Sequence, residues 1–81
     1  MSREDKLLER LRDPHRDNGW SFAEMCSLLA RLGFEMRIGG SHHFFRKVGV
    51  RDVINLQPIG GQAKGYQVRQ VRKVLQSNGL L

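Results

Sequence analysis

The chain has one cysteine, two prolines and no long apolar run. A lone Cys26 excludes an intramolecular disulfide framework and a cysteine-based zinc site. No stretch approaches the ~20 apolar residues of a membrane span, and no signal peptide is visible at the start. The expected setting is therefore cytoplasmic, without a membrane partner. Internal repeats and low-complexity segments are missing as well. Length is equally limiting: 81 residues make one small domain, and a chain of this size buries only about 60% of its unfolded surface. Carboxylates are scarce in the second half, where Asp52 is the lone acid among residues 36–81.

What is present there is positive charge. Arg37, Arg46, Lys47, Arg51, Lys64, Arg69, Arg72 and Lys73 bring residues 36–81 to +7, whereas residues 1–20 carry five basic and five acidic side chains and sum to zero. Such a field attracts polyanions: nucleic acid, acidic proteins or anionic membrane. The same charges also serve simply to solvate a small surface.

The residue pattern divides the chain into an N-terminal helical extension and loop over 1–20 and a domain over 21–81. Arg3 to Arg12 reads as a short helix with Leu7, Leu8 and Leu11 along one edge. Asp13-Pro14 ends it, and Pro14, Asp17, Asn18 and Gly19 predict a loop, with His15 on its surface. Ser21-Phe22-Ala23-Glu24 fits a capping box, flanked by Trp20 and Met25 at the positions of a hydrophobic staple. Phe22, Met25, Leu28, Leu29 and Leu32 continue at helical spacing until Gly33, with Cys26 as a small packed side chain.

Phe34 to Ile38 alternates apolar and charged residues, which predicts a half-buried strand with Phe34, Met36 and Ile38 inward and Arg37 outward. Gly39-Gly40 turns the chain into a second strand over His42 to Val48. Gly49-Val50-Arg51 turns it into a third, Asp52 to Leu56, completing an antiparallel meander. Residues 57–65, with Pro58, Gly60, Gly61 and Gly65, read as a loop. Val68, Val71, Val74 and Leu75 then mark the inner face of a last helix, with Arg69, Arg72 and Lys73 outside. The order helix, helix, three strands, helix is that of an α+β domain.

The densest chemistry lies in Gly39-Gly40-Ser41-His42-His43-Phe44-Phe45-Arg46-Lys47. Neighbouring residues on a strand point to opposite faces, so His42 and His43 are badly placed to share a metal ion. The shortage of carboxylates argues against a site for hard cations. Neither a metal nor a cofactor is expected. A histidine among cations suits RNA, which carries its own nucleophile in the 2′-hydroxyl. Imidazole exchanges protons near neutrality, Arg or Lys stabilises the charge that builds on phosphorus, and an aromatic such as Phe44 stacks on an unpaired base. Against this stands a plainer reading: a strand histidine held for structure, core phenylalanines, and Arg46 and Lys47 guarding a sheet edge.

Leu32-Gly33-Phe34, then Arg37, then Gly40-Ser41-His42 and an aromatic at Phe45 resemble the HicA toxin family. So do the glycine-rich loop and the final helix ending in Asn78-Gly79-Leu80. The resemblance spans residues 21–81. It implies a double-stranded-RNA-binding-domain-like fold, with a three-stranded sheet between two helices. It also implies a metal-independent endoribonuclease that cleaves single-stranded mRNA, and a HicB-type antitoxin that blocks it. The motif histidine maps onto His42 as the catalytic residue, supported by Gly40 and Ser41. Arg37, Phe44, Arg46 and Lys47 are expected on physical grounds to hold RNA. The sequence departs from the family in its longer N-terminal segment. It also departs from the duplex-binding type, because Tyr66-Gln67-Val68-Arg69 replaces a lysine cluster. A non-catalytic RNA-binding module of the same fold remains the alternative.

Overall fold

Two helices begin with the same device. In the computed structural model, which describes residues 2–81, helix α1 (Arg3–Arg12) starts at Ser2 and helix α2 (Phe22–Arg31) at Ser21. Each serine hydroxyl accepts a hydrogen bond from the backbone N–H three residues on, and Asp5 or Glu24 reaches back to the serine N–H. The capping box expected at Ser21 is thus present, and Ser2 supplies a second. α2 ends as its glycine predicts: Gly33 takes a positive φ, its N–H donates to the Ala30 carbonyl, and the Phe34 N–H donates to Leu29. This is a Schellman closure, and Asn78-Gly79-Leu80 repeats it after helix α3 (Gly65–Ser77).

A three-stranded antiparallel sheet follows α2, in the order β2 (Glu35–Gly39), β3 (His42–Arg46) and β4 (Ile54–Leu56). Phe45 faces Met36 on one side and Ile54 on the other, and His43 faces Ile38 and Leu56. Cross-strand partners share a face, so these residues point toward the helices. Phe45, Ile54 and Leu56 are buried there with Met25, Leu28, Leu29, Val68, Val71 and Leu75. The result is the expected small α+β architecture, consistent with a double-stranded-RNA-binding-domain-like fold.

Several local expectations need correction. Met36 and Ile38 point to the helix side but are 47% and 62% exposed. β2 is an edge strand, and α3 packs on β4 at the opposite edge. β3 stops at Arg46, and β4 begins at Ile54 rather than Asp52. The loop at 57–65 contains a short strand, β5 (Gln62–Ala63), which pairs with β1 (Trp20–Ser21). Arg72 is not on the outer face of α3. Its guanidinium grips the buried carboxylate of Asp17 through two bonds of 2.6 and 2.8 Å, and also donates to the Leu11 carbonyl.

The N-terminal residues pack on the remainder. Leu7 and Leu11 join the common core. Arg10 lies over the Trp20 ring, 4.3 Å from its centroid, and pairs with Glu24 at 3.1 Å. The Trp20 indole N–H donates to the Arg16 carbonyl. α1, the 3₁₀ turn Pro14–Arg16, α2 and α3 are thereby tied together.

Candidate active site

The β2–β3 connection fixes the position of His42. Gly39 pairs with His42, leaving a two-residue loop of Gly40 and Ser41. Gly40 has φ +61°, whereas no residue other than glycine has a positive φ among the described residues. These signs are those of a type II′ hairpin turn, which calls for glycine at the first loop position and matches the twist of the strands. Ser41 makes no side-chain hydrogen bond among the described residues. The turn delivers His42 to the first position of β3, exposed and on the face away from the helices.

Strand alternation then sorts the motif. His42, Phe44 and Arg46 occupy the helix-free face, while His43 and Phe45 point toward the helices. His43 meets Phe22 edge-on, with ring centroids 4.8 Å apart. His42 and Phe44 are neighbours at 6.0 Å, their rings inclined by 30°. Phe44 is flanked by Arg37 on β2 and Asn55 on β4. Its ring edge also lies over Gly39, where an added Cβ would come within 3.2 Å of it. Arg37, Phe44, Arg46 and Val53 line a shallow recess of about 250 Å³.

Lys47 does not join this group. Its ammonium lies beside Gly33, where an added Cβ would be only 2.8 Å from Nζ. That is just past the carbonyl end of α2, a place that favours a cation. A hollow of about 440 Å³ beside the loop at 47–53 is lined by Lys47, Arg51 and Asp52 among others, without His42.

The sequence pattern did not single out Asn55. Its Oδ1 is 3.1 Å from Nδ1 of His42. With the amide oxygen facing the ring, the tautomer that makes this hydrogen bond is the one protonated at Nδ1, and in it a neutral ring keeps its lone pair on Nε2. The signal was present in the alternation Ile54-Asn55-Leu56, which sends Asn55 to the face of His42, but only the strand register shows that they meet. A second recess, about 180 Å³, opens beside them and is lined by His42, Asn55, Gln57, Tyr66, Gln67 and Gln70. Gln67, expected on neither face of α3, is 3% exposed.

Among the described residues, no group of three or more His, Cys, Asp or Glu side chains is arranged to hold a metal ion. No helix there is long and apolar enough to cross a membrane. Burial pushes the Cys26 thiol above its usual pKa, which removes it further from nucleophilic chemistry.

No curated protein and no solved structure gives a significant match to the chain. The profile of one family does. Described as the HicA toxin of bacterial toxin–antitoxin systems, it matches residues 22–79. The matched region begins at the first residue of α2, runs through the Gly40-Ser41-His42 turn and ends at Gly79 behind α3. Over more than two-thirds of its length, therefore, this chain belongs to the HicA toxin family, the toxin half of a toxin–antitoxin pair.

Proposed function

We propose that the protein is an endoribonuclease that cuts single-stranded messenger RNA in the cytoplasm and so arrests translation, with His42 as its general acid–base. The observation that carries this reading is the tether between His42 and Asn55. Asn55 holds Nδ1, and Nε2 has no protein partner among the described residues on an exposed ring. In the neutral form Nε2 takes the proton of the 2′-hydroxyl. The 2′-oxygen attacks phosphorus, the bond to the 5′-oxygen breaks, and the imidazolium gives its proton to that leaving oxygen. The products are a 2′,3′-cyclic phosphate and a 5′-hydroxyl. Because the nucleophile belongs to the substrate, the reaction needs no metal.

Phe44 offers a stacking surface one step from His42. Arg37 and Arg46 supply positive charge along the same face for the phosphate backbone. Gly40 and Ser41 set where His42 emerges. Lys47, turned toward Gly33, lies off this path. A HicB-type antitoxin would silence the toxin most directly by covering the helix-free face and His42.

The test is His42→Ala. Removing a general acid–base costs about 10²–10⁴-fold in rate, so RNA cleavage and growth arrest should both disappear while folding and RNA binding persist. Cleavage at the wild-type rate by the variant would refute the assignment. A wild-type chain that binds RNA but never cuts it would leave the non-catalytic module.

A further inference from the structure

The recess between His42 and the start of α3 differs from the rest of the basic surface. Around His42 it is lined by Asn55, Gln57, Gln67, Gln70 and Tyr66, with no ionised side chain. A phosphate would find no cation there. Amides and a phenol are groups that recognise the edge of a neutral heterocycle. At about 180 Å³ the space is smaller than the ~300–1,000 Å³ typical of small-molecule pockets, and it suits one planar base. Tyr66, 57% exposed, stands in its lining as an aromatic face on which a base can stack.

Gln67 gives the recess a polarity. Its Nε2 donates to the Gln57 carbonyl at 2.8 Å, and more weakly to the Tyr66 hydroxyl at 3.3 Å. A backbone carbonyl only accepts, so the amide cannot be reversed. The other end of the amide, Oε1, is closed to solvent and has no hydrogen-bond partner among the described residues, so a donor reaches it when a ligand opens the recess around Gln67. A buried acceptor of this kind calls for a donor. Adenine, cytosine and guanine each bear an exocyclic amino group with two N–H donors, whereas uracil presents carbonyl oxygens at the corresponding positions and a single donor, its ring N3–H, between them.

We infer that this recess binds one base of the RNA substrate, selects bases with an exocyclic amino group over uracil, and thereby chooses the nucleotide beside the cleaved bond. The inference rests on the RNA-cleaving role of His42, because His42 forms one wall of the recess. It adds Gln67 and Tyr66 as specificity-determining residues.

The experiment separates the two ideas by removing the chemistry. Trinucleotides with 2′-O-methyl sugars cannot be cut through the 2′-oxygen. Two such trinucleotides, identical except for a central adenine or uracil, are titrated into the isotope-labelled chain and followed by NMR. The adenine trimer should bind about tenfold more tightly and move the side-chain amide signals of Gln67, Gln70 and Asn55. In Gln67→Met the preference should fall toward one. In Tyr66→Ala, which changes an exposed residue and covers the case of a Gln67 variant that fails to fold, the adenine trimer should bind at least fivefold more weakly. Equal affinity for both trimers, no binding of either, shifts confined to the Arg37–Arg46 surface, or an unchanged preference in folded Gln67→Met would overturn the inference, as would unchanged affinity in Tyr66→Ala. Failure of the nuclease reading would instead appear as uncut RNA with natural sugars, with base selection intact.

Discussion

Nδ1 of His42 lies 3.1 Å from Oδ1 of Asn55, a residue thirteen positions away on the adjacent strand. In the proposed mechanism, Asn55 acts on catalysis through the ring it orients. Asn55→Ala should lower kcat about tenfold with little change in KM, since the substrate still meets the same face. Asn55→Asp keeps an acceptor and should restore most of the rate. Steady-state cleavage of a labelled RNA measures both. If Asn55→Asp is as impaired as Asn55→Ala, the tether is not what the residue provides.

The sheet face that carries Arg37 and Arg46 and the turn that carries Lys47 make opposite predictions for nearby cations. Arg37→Glu and Arg46→Glu should weaken single-stranded RNA binding severalfold each. Each should also flatten the dependence of log K on log salt by about 0.7 for every phosphate that is no longer neutralised. Lys47→Glu should change affinity much less, because its ammonium sits beside Gly33. Titrations at several salt concentrations compare the three. A Lys47→Glu variant with the largest loss would move the RNA path to the loop at 47–53.

Ser21 and Glu24 make low pH a stability variable. The bond from the Ser21 backbone holds the Glu24 carboxyl below its usual pKa of 4.5, with further help from the Ser21 hydroxyl and Arg10 against the cost of burial. A depressed carboxylate contributes stability that is complete above the unfolded value and is lost as pH falls through the folded one. The wild type should therefore lose more stability between pH 7 and pH 3 than Glu24→Gln does. Ser21→Ala, which removes the cap itself, should cost about 1 kcal/mol at pH 7. Urea midpoints at the two pH values check both. Identical pH dependence in wild type and Glu24→Gln would mean that Glu24 plays no such part.

Asp17 and Leu11 test how far the N-terminal residues belong to the core. Asp17→Ala leaves the Arg72 guanidinium, whose side chain is 11% exposed, without its carboxylate, and should destabilise by about 3 kcal/mol. Leu11→Ala, at a fully buried position, should cost about 2–5 kcal/mol. A single cooperative thermal transition at lower temperature is expected for each. An unchanged midpoint for Leu11→Ala would show α1 to be a loosely held attachment.

Cys26 should be slow to react. Its thiol is half-buried in α2 and its pKa is raised by desolvation, so little thiolate is present at neutral pH. Alkylation followed by mass spectrometry should be slow in the native chain and fast in denaturant. Rapid native labelling would reveal an activating neighbour or an opening of α2.

The sequence was most readable where the signal is local. Ser21-Phe22-Ala23-Glu24 specifies a helix start through hydrogen bonds spanning three residues, and Gly33 specifies a helix stop, so both were legible. Strand alternation correctly placed His42 and His43 on opposite faces. Met36 and Ile38 show where this logic fails. Their period assigns them a face, but whether a helix covers that face depends on β2 lying at the edge of the sheet. Arg72 had the spacing of an exposed residue, yet Asp17, fifty-five positions earlier, draws it inward. Gln67 and Asn55 were invisible for the same reason: each is defined by a partner on another element. β5 is two residues long, too short for any periodic signal.

The bond from Arg72 to the Leu11 carbonyl joins residues sixty-one positions apart, and this sets an order of assembly during synthesis. α1 is made first, but its Leu7 and Leu11 reach their complete surroundings only when α3 has left the ribosome. Interactions this distant form late in folding. The wall of the His42 recess formed by Tyr66, Gln67 and Gln70 arrives with the same helix. A nascent chain therefore carries His42 for some time before it carries the recess beside it, which is complete only once α3 has been made.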